Sequence, residues 1–434
     1  MSDEALHLRT RTYLGLLGAV SLIAVAIALA TLAFLGAYGA LHDLFWEELP
    51  DALGVDPHPW YAIAVTTLGG LAVGLLLVVV PGHGGPGPAE GHGVGGDPVS
   101  PRHTVGLVLV SLVSLTAGAS LGPEAALLAV ALALGTWLAD RARRVELGKL
   151  FGMSGVGSLL AGLMGSPLAP AVLTLEVTHL TGLNLYVFLV PVLVASVVGL
   201  LTFEAILDGP LLDIALPGYS AVELAHVLEA LAIAGVAAAV GLLTIAVFRA
   251  VDRAFRPLER RLVLRATLGG LGIGLVALAA GEETLFSGEH ELEVLLADPE
   301  AYGLAALLLL LGGKIVAFAL SLATGFRGGR IFPVLFIGAT VGFGASELFE
   351  SIPLTVSVAC GMAGAAVALI RLPIFVALLV AFFTAPAAIP LVVLAVVVGY
   401  VLTFDKPELG GPPEAEHGAA TDRDLGIEAE VSRP

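Results

Sequence analysis

What most constrains this chain is the way its apolar sequence is cut. Two stretches, 13–41 and 60–80, run apolar without a break, and a helix of about 20 such residues crosses a bilayer. From residue 104 onward the runs are short: 104–117, 124–139, 150–165, 167–178, 185–203, 221–248 and 265–280, then 300–322, 331–347, 352–371 and 373–403. Many hold only 12–17 residues, and several begin at Gly-Pro or Gly-Gly. Short, Gly/Pro-interrupted apolar segments in matching places of two halves predict half-helices that meet near the membrane midplane. The first run is longer than the apolar region of a secretory signal and has no convincing cleavage site, so it reads as a membrane helix.

Composition excludes the soluble alternatives. Of 434 residues 57% are hydrophobic and 13% charged, against about 45–50% and about 25% in a soluble domain. The net charge of −17 leaves no basic surface for nucleic acid. Only three lysines occur, Lys149, Lys314 and Lys406, and the acidic balance suggests surfaces that meet high salt. The single cysteine, Cys360, excludes an intramolecular disulfide and a cysteine metal cluster.

The halves repeat. Phe151-Gly-Met-Ser-Gly155 resembles Cys360-Gly-Met-Ala-Gly364, 209 residues on, and Ser166-Pro-Leu-Ala169 resembles Leu372-Pro-Ile-Phe375, with Pro167 and Pro373 206 apart. Leu121-Gly-Pro-Glu-Ala125 opens an apolar helix as Gly328-Gly-Arg-Ile-Phe-Pro333 does. Three matches in one order argue for an internal repeat, the first about 60–203 and the second about 221–403. Basic residues set the topology. Arg9 and Arg11 place the N-terminal segment 1–11 in the cytoplasm, as Arg141, Arg143, Arg144, Lys149 and the arginines at 253, 256, 260, 261 and 265 place two loops. The acidic stretch 204–223 is then outside, and the acidic tail 404–434 is a disordered cytoplasmic extension.

Three constellations carry chemistry. In Gly118-Ala-Ser-Leu-Gly-Pro-Glu-Ala-Ala126, Gly122 permits a tight turn and Pro123 suits a helix start. The unpaired N–H groups of that start make an anion site, which the Glu124 carboxylate can occupy and, on protonation, vacate. The plain alternative is a helix-capping Glu, but an ionisable group among membrane segments is a functional candidate by default. In Thr324-Gly-Phe-Arg-Gly-Gly-Arg-Ile-Phe-Pro333 a second helix start follows Gly328 and Gly329, with Arg327 and Arg330 close by. These arginines either attract an anion, snorkel to the interface, or pair with Glu124. Gly82-His-Gly-Gly-Pro-Gly-Pro-Ala-Glu-Gly91 is by itself more often a surface loop, and His83 and His92 lack the partners of a metal site.

Together these segments resemble the CLC family of chloride channels and anion/proton exchangers, over residues 12–403. Gly122-Pro-Glu-Ala-Ala126 resembles the family's Gly-Arg/Lys-Glu-Gly-Pro filter motif, Gly329-Arg-Ile-Phe-Pro333 its Gly-x-Phe-x-Pro motif, and Gly165-Ser-Pro-Leu-Ala169 its Asn-Ala-Pro-Leu-Ala stretch. The resemblance implies an all-α polytopic membrane protein of two inverted-topology repeats, with broken helices meeting at the midplane. It implies a homodimer with one pore per subunit and no cofactor. Glu124 takes the place of the external gating glutamate, and the amides of Ala125, Arg330 and Ile331 those that line the anion sites.

The departures bear on substrate. The filter serine falls at Gly85 or Pro86, within a Gly85-Pro86-Gly87 stretch that has no hydroxyl, and Pro there goes with nitrate preference in the family. The filter tyrosine falls at Ala385 or Ala387, and the third motif's Phe is Ile331. The internal proton glutamate aligns with Val177, while Glu176 before it is retained. Arg330 is positioned to replace the lost hydroxyls as an anion attractor. The expectation is transport of small inorganic anions, chloride or nitrate-like, across the cell membrane by a channel or proton-coupled exchanger gated by Glu124. An organic-anion transporter and a non-transporting relative are the alternatives. An intramembrane protease is not expected: the membrane runs hold no aspartate pair, and His179 and Lys314 have no nucleophile partner.

Overall fold

The architecture was obtained as a computed structural model, which describes residues 10–55, 59–80, 101–178, 182–207, 214 and 216–409. The expectations placed on Gly85, Pro86, Gly87, His83, His92 and His179, and on most of both terminal segments, lie outside the described residues.

The described chain is helical. In the first half come α1 (Thr10–Asp43), a short α2 (Leu49–Leu53), α3 (Pro59–Val79), α4 (Pro101–Thr116), α5 (Glu124–Arg141), α6 (Gly148–Met164), α7 (Leu168–Thr178) and α8 (Gly182–Leu207). In the second come α9 (Leu224–Phe255), α10 (Leu262–Ala280), a short α11 (Glu289–Ala297), α12 (Leu304–Thr324), α13 (Ile331–Leu348), α14 (Leu354–Ile370), α15 (Pro373–Phe382) and α16 (Ile389–Thr403). Among the described residues, nine helical stretches are long and apolar enough to cross a membrane, and four apolar helices are shorter. The breaks follow local chemistry. Pro59, Pro101 and Pro373 open helices, where a missing N–H costs nothing. Gly165 and Gly325 end α6 and α12 in the left-handed region, at φ 71° and 108°. The apolar run 373–403 is cut by a turn at Pro386–Ala388 into α15 and α16.

The two halves correspond helix by helix. α6 packs on α1, α5 and α8; α14 packs on the matching α9, α13 and α16. The halves meet where α3 lies against α10, and there the contacts are reciprocal. A Cβ on Gly70 would stand 2.3 Å from the Ala266 carbonyl oxygen, and one on Gly270 2.1 Å from that of Thr66. Gly74 abuts Val263 and Gly274 abuts Ile63. As the residue number rises along α3, its partner's number falls along α10, so the helices run antiparallel, as inverted repeats require. Backbones this close leave room only for hydrogen as a side chain, and small residues are what membrane helices use at such crossings.

Candidate functional site

The inversion points the starts of α5 and α13 at one another. Just ahead of them Gly122 and Gly329 form an isolated antiparallel bridge: Gly122 N–H donates to the Gly329 carbonyl at 2.9 Å, and Gly329 N–H to that of Gly122 at 2.5 Å. Irregular backbone at membrane depth is tolerated only inside protein or lining a cavity, and this bridge satisfies its own polar groups. More bonds hold the loops: Ser120 N–H donates to Ser321 Oγ at 3.0 Å, and Arg327 N–H to Ser114 Oγ at 3.0 Å.

Glu124 is the first residue of α5 and is 1% exposed. Its Oε1 accepts the backbone N–H groups of Ile331 at 2.9 Å and Phe332 at 3.2 Å, at the start of α13. The carboxylate of one repeat therefore fills the helix N-terminus of the other, where partial positive charge and unpaired donors favour an anion. Its Oε2 has no partner and rests over the glycine bridge, 2.0 Å from a Cβ on Gly122 and 1.9 Å from one on Gly329. The site is thus a buried carboxyl held through one oxygen by two backbone amides, with its other oxygen unsatisfied.

The structure brings Gly122, Glu124, Gly329 and Ile331 together, with Ala125 and Arg330 beside them. Phe332, which supplies the second amide, lies inside the Gly329–Pro333 motif beyond the expected amides of Ala125, Arg330 and Ile331, one helix position after Ile331. Ser120, fully buried with a partnerless hydroxyl two residues before Gly122, was not singled out. Arg330 makes no ion pair with Glu124. Its Nη1 turns to the Leu409 carbonyl at 3.4 Å, while Arg371 donates to the carbonyl of Lys406 at 3.3 Å and Arg249 to that of Glu408 at 3.5 Å. The segment after α16 is therefore tied to the third motif through Leu409. Ala385 and Ala387 lie at the turn between α15 and α16.

A second carboxylate repeats the arrangement. Glu176, on α7, accepts the N–H groups of Ile374 at 2.9 Å and Phe375 at 2.7 Å, at the start of α15. Each of its oxygens is bonded, unlike those of Glu124. Val177, the next residue, is only partly buried. Lys314 is 0% exposed, and its ammonium donates to the carbonyls of Leu285 at 2.7 Å, Phe286 at 3.1 Å and Glu283 at 3.3 Å. It also lies 4.7 Å from the Phe336 ring centroid. A buried amine with three carbonyl acceptors is a structural clamp.

In a many-spanning helical protein, a helix start whose amides hold a carboxylate from the opposite repeat is a seat built for an anion. Residues 69–403 match the family described as voltage gated chloride channel, and the chain belongs to that family. Relatives carrying the ion-transport name YfeO are 29% identical in Escherichia coli strain UMN026 and 30% in Escherichia fergusonii, each over 411 residues covering 93% of this chain and 96% of the relative. Two solved structures share the fold. A CLC-type fluoride/proton antiporter superposes with a TM-score of 0.74 at 19% identity, over 91% of this chain and 97% of its own. A slow cyanobacterial chloride/proton antiporter gives 0.75 at 20% identity, over 89% and 94%. The family and these neighbours are channels and transporters.

Proposed function

We propose that this chain moves small inorganic anions, chloride or nitrate-like, across the cell membrane, and that Glu124 is the gate. One observation carries the reading: the Glu124 carboxylate occupies the N-terminus of α13 as an anion would, bonded by the amides of Ile331 and Phe332. An ion entering this seat exchanges its hydration for those amides. It enters only when the carboxylate leaves, and protonation favours leaving because a neutral acid gives up the charge-assisted part of both bonds. Gly85, Pro86 and Gly87 are proposed as further anion-binding residues by the family resemblance of their motif, and Arg330 as an attractor for the ion. The transport unit spans 12–403 and works as a homodimer with one pathway per subunit and both termini in the cytoplasm.

The test is anion efflux from liposomes for chloride, nitrate, bromide and fluoride across a pH series, with proton movement recorded together. Glu124→Gln and Glu124→Ala should each abolish the pH dependence; unchanged dependence in both removes Glu124 from the gate. Val177 and the alanines at 385 and 387 favour passive or loosely coupled flux, while Glu124 and the retained Glu176 favour proton-coupled exchange. Proton uptake driven by an anion gradient supports it, and its absence leaves a channel.

A further inference from the structure

Beside the gate lies a small cavity of about 170 Å³ that the transport reading does not use. Its walls are Leu35 and Tyr38 of α1, Leu121 and Pro123 on either side of Gly122, and Ser287 and Glu289 from the segment after α10. That segment is fixed in place. Lys314 holds three of its carbonyls, Phe286 N–H donates to the Gly118 carbonyl at 3.4 Å, and Gly288 stands at φ 95° where a Cβ would meet Phe336 at 2.7 Å. Phe286 itself packs on His42 and Trp46, at ring-centroid distances of 4.9 and 5.1 Å. The cavity is therefore a built feature at the end of α10 opposite the arginine-rich turn 253–265, on the face where α1 ends.

Two of its features suit proton transfer. Glu289, the first residue of α11, lines the cavity and is partly exposed as a residue. Ser287, 8% exposed, places a hydroxyl in the same wall, able to donate and accept at once. The destination is an acceptor with spare capacity: Glu124 is buried, and its Oε2 has no partner. Resting on the gate reading above, we propose that Glu289 is the outer proton carrier of this protein, delivering protons to Glu124 along the Ser287 wall. In each transfer the Glu289 O–H bond breaks and an O–H bond forms on Glu124. Glu289 is left ionised and is reprotonated from outer water, and no other bond changes.

The surroundings are consistent with a carboxyl that holds its proton near neutral pH. Burial raises its affinity for the proton, and Glu124, Glu291 and Glu293 raise it further. Tyr38 of α1 shares the cavity wall with Glu289; the other titratable groups of this loop and its supports are Glu282 and Glu283 in the preceding turn, His42, which packs on Phe286, Lys314, which holds the loop carbonyls, and His290, which pairs with Glu293 at 3.6 Å. Lys314 is committed to carbonyls and does not pair with Glu289. The side of α13 packed here contributes the ring of Phe336.

A mere neighbouring charge would change the pH midpoint of the gate but not how fast it answers a proton. The experiment therefore reads rate. Full-length protein in chloride-loaded liposomes receives a stopped-flow step in outer pH, and the change in chloride efflux is timed. Glu289→Gln should slow the response by about tenfold or more, as loss of a positioned proton carrier does. Glu289→Asp, which keeps the acid, should recover most of it. A Gln variant as fast as wild type, or Gln and Asp variants equally slow, overturns the proposal. If the Gln variant does not yield monodisperse protein, Ser287→Ala carries the test, a slowed response supporting the route and an unslowed one overturning it. Glu124→Gln, run alongside, separates the two readings: if it keeps the wild-type pH response, the gate assignment fails whatever Glu289 does.

Discussion

Gly329→Ala should open the gate while leaving the gating carboxylate in the chain. The methyl group would stand 1.9 Å from Glu124 Oε2, 2.4 Å from Cδ and 2.9 Å from Oε1. Real contacts of Cβ are not that short, and the atoms in the way end a flexible side chain, so the carboxylate is what moves. Moving it breaks its bonds to the Ile331 and Phe332 amides. At about 1.5–3 kcal/mol for each hydrogen bond to a charged group, the closed seat loses about 3–6 kcal/mol. Since about 1.4 kcal/mol is tenfold, its occupancy by Glu124 falls more than about 100-fold relative to a competing anion. Efflux from liposomes across a pH series should then lose its pH dependence, as for Glu124→Gln. Gly122→Ala, whose methyl would lie 2.0 Å from the same oxygen, should behave alike. The double variant Glu124→Ala/Gly329→Ala tells whether the methyl also narrows the path, since its flux should equal that of Glu124→Ala. Wild-type pH dependence in Gly329→Ala would refute the seat described here.

Other perturbations test the supports. Lys314→Met strips three carbonyls, one of them fully buried, of their donor and should cost about 3–5 kcal/mol, read as a drop in the thermal unfolding midpoint of detergent-solubilised protein. Glu176→Gln weakens the bonds to Ile374 and Phe375 by about 1–2 kcal/mol, read in the same assay, with anion flux retained. Ending the chain after Thr403 removes the Leu409 carbonyl from Arg330; the half-saturating anion concentration for flux should fall if Arg330 then turns to the ion. Gly270→Ala drives a methyl into the Thr66 carbonyl at the α3–α10 crossing and should abolish stable expression, read by size-exclusion chromatography.

Much of the fold is legible in the sequence because membrane structure leaves few options. Only four of the broken apolar runs are short helices, the others being long enough to cross, but the matches around Gly122 and Gly329, Met153 and Met362, and Pro167 and Pro373 fall on α5–α7 and α13–α15. The pairing of α1 with α9 is hidden, because both are simply long and apolar and carry no motif that sequence comparison can align. The same limit holds at the site. Glu124 stands out as a charge at a helix start, but Phe332 contributes only its backbone N–H, to which sequence is blind. The turn of Arg330 toward Leu409 depends on the path of the chain after α16, 79 residues away. The resident of the outer cavity, Glu289, reads in sequence as one acid among five between residues 282 and 293. Only the docking of that loop by Lys314 separates it from the rest.

Inverted repeats explain why two carboxylates cap helices across the halves. Inversion aims helix N-termini of one repeat at the other, and a carboxylate from the opposite repeat answers their unpaired N–H groups. Glu124 and Glu176 both do so, yet the bonding makes them opposites. Glu176 gives one oxygen to Ile374 and the other to Phe375, so its departure would strand both partners at once. Glu124 spends one oxygen on two amides and leaves the other bare against two glycines, buried, with nothing to hold it there. An ionised oxygen in that position is costly to keep without a partner, so the closed seat is strained on one side and bound on the other. Such a group can be displaced by a proton or by an ion. Glu176 is the anchored member of the pair, and replacing it should change stability before it changes the response of flux to pH.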